Sequence, residues 1–242
     1  KSMGGFLMGE LTVWTGKSGQ GKSTLLGQMM LEAIDEGFNV CAYSGELRAD
    51  RFQYWVNLQA AGNKYISYRY DDVRQKKIPF IPKLINEKIK NWYRGRFWLY
   101  DNNINNDNSE NTGIIKLFTY AARKYNCKLF LVDNLMTSKF NTGKSDSDFY
   151  RAQSEFVGEL MHFAKTYNAH VHLVAHPKKT KDKLGKEDVS GTGDITNRAD
   201  NVLSVERDAE HPLSNIVTIL KNRSDGVQDR SIGLLFDPSS KR

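Results

Sequence analysis

The sequence predicts an α/β fold: a mostly parallel sheet flanked by helices, extended near its C-terminal end by antiparallel strands. Three observations predict it. Short apolar runs alternate with amphipathic repeats along most of the chain. A glycine-rich loop sits where the first apolar run meets the first amphipathic one. The 242 residues, 39% hydrophobic and 26% charged, suit one globular α/β domain with a sizeable core.

Glu10–Thr15, Asn39–Ser44, Arg96–Asp101, Lys128–Val132 and Ala169–Ala175 read as strands. Several are continuous apolar runs, the pattern of strands buried on both faces of a parallel sheet. Ser23–Glu36 repeats apolar residues at Leu25, Leu26, Met29, Met30, Ala33 and Ile34, and Gly37 follows as a C-terminal stop. Asp50–Ala61, Lys83–Tyr93, Thr112–Tyr125 and Asp146–Tyr167 read as helices in the same way. Near the C-terminus, Asn201–Glu206, Asn215–Leu220 and Ser231–Phe236 read as a strand meander at the sheet edge, expected to be antiparallel. Asn102–Asn111 holds six Asn in ten residues, and Pro177–Ser190 is polar and lysine-rich, so both are expected to be loops.

Composition excludes several classes. No apolar run approaches the ~20 residues that span a bilayer, so no membrane partner is expected. Cys41 and Cys127 lie far apart inside apolar segments, which points to reduced core thiols and not to a disulfide framework. The first residues carry no signal peptide. Lys and Arg number 35 against 28 Asp and Glu, a surplus of +7 that permits a polyanionic partner.

Gly16, Lys17, Ser18, Gly19, Gln20, Gly21, Lys22, Ser23 and Thr24 match the phosphate-loop pattern in its strand–loop–helix setting. The glycines let backbone N–H groups face phosphate oxygens, and Lys22 neutralises them. The Ser23 hydroxyl ligates Mg²⁺, and the helix N-terminus adds its dipole. The expected cofactors are therefore ATP or another NTP, with Mg²⁺. Such a site needs a second carboxylate on the metal side, and Asp133 ends an apolar strand. It also needs a base that orients water, and Glu46 follows the second strand. The C-terminal strand ends of an open parallel sheet share one rim, which gathers these residues. His176 ends the fifth strand and reaches the same rim. A strand-end carboxylate or histidine also serves as a simple cap.

Residues 178–186 hold Lys178, Lys179, Lys181, Lys183 and Lys186 with only Asp182, a local +4. Such a loop is either a solvated face or a phosphate contact for nucleic acid. Lys221 and Arg223 follow an apolar strand at a tight turn. They read either as hairpin punctuation or as an arginine finger with a companion lysine.

Taken in order, these segments resemble the DnaB-type, RecA-core replicative helicases, most of all their Twinkle and phage primase–helicase branch. The resemblance begins at Gly9-Glu10-Leu11-Thr12-Val13 and runs through the phosphate loop, Ser44-Gly45-Glu46, Val132-Asp133-Asn134-Leu135 and His176-Pro177. It continues through Gly191-Thr192-Gly193, Ala199-Asp200-Asn201-Val202 and Lys221-Asn222-Arg223. It implies a RecA-like P-loop NTPase core spanning residues 1–242. Glu46 would be the catalytic base, Asp133 the Mg²⁺-side acid and His176 the γ-phosphate sensor. The lysine segment, with Gly191, Thr192 and Gly193, would line a channel for single-stranded DNA. Arg223, helped by Lys221, would act on a neighbouring subunit's nucleotide, and Arg207 and Phe236 would sandwich the base. Members work as hexameric rings moving 5′→3′, with a primase domain or primase as partner. The implied setting is the cytoplasm, at the nucleoid, or an organellar matrix.

Leu47 stands where the family often has Met, and residues 63–111 align with no motif. The chain starts almost at the phosphate-loop strand, so it reads as a fragment without a primase-like or assembly domain. Two other functions fit the same residues: a RecA-type filament ATPase, and a nucleotide-dependent scaffold or loader that does not unwind.

Overall fold

A computed structural model describes residues 4–101, 112–135, 146–177, 193–208, 210–211 and 214–242. The predicted strands and helices all form, each within two residues of its expected ends. The strands are β1 (Leu11–Thr15), β2 (Asn39–Ser44), β5 (Phe97–Leu99), β6 (Cys127–Asp133), β7 (His170–Val174), β8 (Asn201–Arg207), β9 (Ser214–Asn222) and β10 (Arg230–Leu235). The helices are α1 (Lys22–Asp35), α2 (Ala49–Ala61), α3 (Lys83–Trp92), α4 (Thr112–Tyr125) and α5 (Asp146–Tyr167). Four elements were not anticipated: a single 3-10 turn at Asn63–Tyr65, a hairpin of β3 (Ser67–Asp71) and β4 (Lys76–Phe80), and a short helix α6 (Gly193–Arg198). The expected loop at 102–111 lies outside the described residues, as does most of the loop at 177–190.

Eight strands form one sheet in the order β10-β9-β8-β1-β7-β6-β2-β5, and β3–β4 stands apart as a two-stranded sheet. The C-terminal meander forms as expected, β8 pairing antiparallel with β9 and β9 with β10 at the sheet edge. β8 joins it to the sheet by pairing in parallel with β1, Thr12 beside Asn201 and Thr15 beside Ser204, so β10 runs with the other strands and β9 alone runs against them. The apolar run of β8 suits that inner position: Val202, Leu203 and Val205 are buried, as an interior strand requires.

Successive side chains of each strand serve opposite faces, so the sheet builds two cores. Leu11 and Val13 of β1 join Phe130 and Val132 of β6 against Phe118 of α4 and Phe156, Leu160 and Phe163 of α5. On the other face Trp14, Val40, Leu131 and Leu203 meet Leu26, Met30 and Ile34 of α1 and Phe52 and Val56 of α2. Leu26, Met30 and Ile34 recur every four residues, the stripe that fixes which side of α1 faces inward. Cys41 and Cys127 are both buried and free; burial raises the Cys127 thiol to about 12 and Cys41 higher still. No described helix is long and apolar enough to cross a membrane.

Candidate nucleotide site

The phosphate loop leaves β1 at Thr15 and enters α1 at Lys22. Its glycines are there for steric reasons. Gly16 has φ +147°, and a Cβ at that position would collide with the Val205 carbonyl of β8. Gly21 takes the left-handed conformation, φ +88°, at the N-cap of α1. No side chain caps α1, and its first turn holds no acidic residue, so its free N–H groups are left for an anion. The loop is clamped from the sheet edge. The Arg207 amide donates to the Gln20 side chain, the Arg207 guanidinium reaches the Gly19 carbonyl at 3.2 Å, and Asn215 Nδ2 donates to the Gln20 carbonyl. Lys17, Ser18 and Gly19 remain exposed, Ser23 is half-buried, and the half-buried Thr24 gives its carbonyl to Gln59 at 2.7 Å.

Lys22 is 6% exposed and its Nζ folds back onto the loop, 2.6 Å from the Gly16 carbonyl and 3.0 Å from that of Lys17. Burial lowers its pKa, while Asp133 and Glu46 act in the opposite sense. Asp133, at the end of β6, is 0% exposed. Burial raises its pKa to about 6; the Ser23 hydroxyl offsets part of this, Glu46 adds to it, and Lys22 and His176 counter it. Despite the nearby Ser23, neither carboxylate oxygen closes a hydrogen bond of normal geometry. A buried carboxylate in that condition is costly unless it receives a cation. The donor set of Asp133 and the Ser23 hydroxyl is all oxygen, the chemistry that suits Mg²⁺ shared with phosphates. Among the described residues no group of three or more His, Cys, Asp or Glu is arranged to hold a metal by itself.

Glu46, Asn134 and His176 come from three separate strand ends and meet at this rim. His176 Nε2 lies 2.8 Å from Glu46 Oε1 and 2.8 Å from Asn134 Nδ2, and the Asn134 amide also donates to Glu46 Oε1. Register explains the meeting: Ser44 of β2 lies beside Asp133 of β6, and Val132 beside Leu173 of β7. Asn134 was not anticipated as a site residue; its place directly after Asp133 was the available signal.

The other candidates lie elsewhere. Phe236 follows β10 at the phosphate-loop end, its ring 5.9 Å from Lys241 Nζ. Lys221 and Arg223 lie at the opposite end of the sheet, where Asn222 pairs with Asn201. β8 runs seven residues from that end to Arg207, so about 20 Å separates Arg223 from its own phosphate loop. Arg223 forms a 3.1 Å ion pair with Asp200 and donates to the Asn197 carbonyl at 2.8 Å. Lys221 Nζ donates to the Thr196, Asn197 and Ala199 carbonyls at 2.7, 3.1 and 2.7 Å, fastening the end of α6. Gly193 opens α6 and is exposed. Lys178, Lys179, Lys181, Lys183, Lys186, Gly191 and Thr192 lie outside the described residues.

The fold is RecA-like and recurs in solved structures. One solved on its own as an ATPase domain superposes with a TM-score of 0.76 at 14% identity, covering 98% of this chain and 85% of that one. A DnaB-like replicative helicase, described with its interactions with primase, gives 0.76 at 14% identity over 98% of this chain. The present chain spans 59% of that helicase's length. A family described as "AAA domain" matches residues 1–182, a stretch that holds the phosphate loop, Glu46, Asp133, Asn134 and His176. By that match over most of its length, the chain belongs to the AAA domain family.

Proposed function

We propose that this chain is the NTP-hydrolysing motor domain of a replicative DNA helicase. The observation that carries the proposal is the buried Asp133 carboxylate, which closes no hydrogen bond of normal geometry and lies beside Ser23 and Lys22. Bound Mg²⁺ would neutralise charge across the β- and γ-phosphates. Asp133 and Ser23 would hold it, and Lys22 would exchange its two loop carbonyls for phosphate oxygens. Glu46 acts as the base. Its Oε1 is held by Asn134 and His176, which leaves Oε2 to orient a water and take its proton. His176 touches Glu46 directly, so a change at the γ-phosphate would pass to the chain that follows Pro177. Arg207 sits beside the loop, on the side where it and Phe236 would hold the base.

The finer reading follows the same resemblance. The motor works as a hexameric ring moving 5′→3′ on single-stranded DNA, in the Twinkle and phage primase–helicase branch. The lysine-rich segment, with Gly191, Thr192 and Gly193, meets DNA. Arg223 serves the neighbouring subunit's nucleotide, and Lys221 helps by holding α6. The distance between Arg223 and its own phosphate loop supports action in trans. A primase domain or primase is the expected partner, in keeping with the primase interactions described for the structurally similar DnaB-like helicase.

The test is NTP hydrolysis with and without single-stranded DNA, in a preparation that oligomerises. Turnover stimulated by DNA and abolished by Lys22→Ala is expected. Absence of hydrolysis, with Lys22→Ala no different from the parent, contradicts the proposal.

A further inference from the structure

The β3–β4 hairpin takes no part in the nucleotide site, and its stretch of chain aligns with no motif. Yet residues 63–94 hold nine cationic residues against three acidic ones, a net +6 in a chain whose total is +7. The same region concentrates exposed rings: Tyr65, Tyr68 and Tyr70 are 46–54% exposed, and Tyr54 of the adjoining α2 is 42% exposed.

The hairpin register orders these groups. Tyr68 and Tyr70 stand two residues apart on β3 and so share one face, roughly 7 Å apart along the strand. Their cross-strand partners are Pro79 and Lys77, which place a cation beside the rings on that face. Arg69 and Lys76 point to the other side of the ribbon. The Tyr70 hydroxyl donates to Gln75 Oε1 at 3.1 Å, and the Tyr54 hydroxyl donates to the Pro79 carbonyl at 3.0 Å, which ties the hairpin to α2. The face is therefore anchored, aromatic and cationic. Protein interfaces are depleted of lysine at their centres, whereas single-stranded nucleic acid offers π-faces to stack and phosphates to neutralise.

We propose that the β3–β4 hairpin binds single-stranded DNA by stacking bases on Tyr68 and Tyr70, with Lys77 on a phosphate. The choice of DNA over RNA rests on the motor reading; the binding itself does not.

The test is equilibrium binding of fluorescent oligo(dT) and oligo(U) of equal length to the full chain, without nucleotide, so that no result depends on hydrolysis. Tyr68→Ala with Tyr70→Ala should weaken oligo(dT) binding roughly tenfold or more. Lys77→Gln should reduce the slope of log K against log salt by about 0.7, one phosphate on a single strand. Tyr68, Tyr70 and Lys77 are all exposed, and circular dichroism checks that the variants fold. An oligonucleotide carrying 5-iododeoxyuridine should photocross-link to Tyr68 or Tyr70 in the parent protein. Unchanged affinity and slope in both variants, with cross-links elsewhere, overturns the proposal and leaves the face to a protein partner. Tighter binding of oligo(U) than oligo(dT) overturns the choice of DNA. A chain that binds oligo(dT) through the hairpin but hydrolyses no NTP contradicts the motor reading alone.

Discussion

The two ends of the main sheet treat buried polar groups in opposite ways. At the far end every named group is paired. Asp200 accepts from the Leu11 amide at 3.0 Å and from Arg223 at 3.1 Å. Asn201 donates to Glu10 at 2.9 Å and accepts from Asn222 at 2.8 Å, and Ser224 donates to Glu10 at 2.6 Å. At the phosphate-loop end, the Asp133 carboxylate and the Thr15 hydroxyl are buried without a well-formed hydrogen bond, and the Lys22 amine is satisfied only by loop carbonyls. The same strands supply both ends, so backbone architecture does not cause the difference. A fully paired end holds the fold together. An end left unpaired at a cost in stability is arranged to receive a ligand.

The largest test of that contrast is at the paired end. If Arg223 serves only its own chain, Arg223→Ala costs stability through Asp200 and leaves per-site turnover intact. If it acts on a neighbour's nucleotide, kcat falls by roughly 10³ or more while nucleotide affinity is spared. Steady-state hydrolysis beside titration with a fluorescent nucleotide separates the two, and the second outcome is expected.

Asp133→Asn should act in two directions. Hydrolysis should drop by about 10² or more, since a metal-side charge is lost. The free protein, in chelator at pH 7.5, should become more stable by about 1–3 kcal/mol in urea unfolding, because an uncompensated buried charge is removed. An equal loss of stability and activity would place Asp133 among the structural residues of the far end.

Asn134→Ala should lower kcat by roughly tenfold and move KM little, because the Asn134 amide positions Glu46 and His176. A change confined to KM would assign it to binding instead.

The smallest effect concerns His170 and His172, buried on β7 beside β1. His170 Nδ1 bonds the Leu7 carbonyl at 2.7 Å and Trp14 donates to His172 Nδ1 at 3.1 Å, while Phe6 packs edge-on against both rings. Burial lowers both pKa values; the Leu7 carbonyl, Glu10 and Asp200 partly counter this at His170, and His170 deepens it at His172. Neutral rings are thus favoured in the folded state. Their contribution is present above the ordinary value of 6.5 and is lost as pH falls below it. Unfolding free energy measured from pH 7 to 5 should fall, and His172→Asn should make the decline shallower. An unaltered slope would remove the pair from the acid response.

The phosphate loop was legible because contiguous residues do its work: Gly16 to Thr24 carry the turn, the charge and the helix start. The strands were legible because burial on both faces leaves continuous apolar runs, as in Leu129–Val132. Asn134 was not, because its role arises only where chain segments near 46, 134 and 176 converge, and no local pattern records that. Which strand the meander joins was not legible for a related reason: the sequence of β8 shows how deeply it is buried, not that it pairs with β1. The β3–β4 hairpin was missed because it faces solvent, so Tyr68, Arg69 and Tyr70 leave no core-directed pattern.

The central claim is that the two ends of the sheet serve two different nucleotides, one in this subunit and one in the next. Mixing Arg223→Ala with Lys22→Ala protein, each inactive alone, tests it most directly. An intact Arg223 from the Lys22→Ala subunit would then complete the intact phosphate loop of its Arg223→Ala neighbour. Partial recovery of DNA-stimulated hydrolysis in the mixture is predicted. No recovery at any ratio would contradict it.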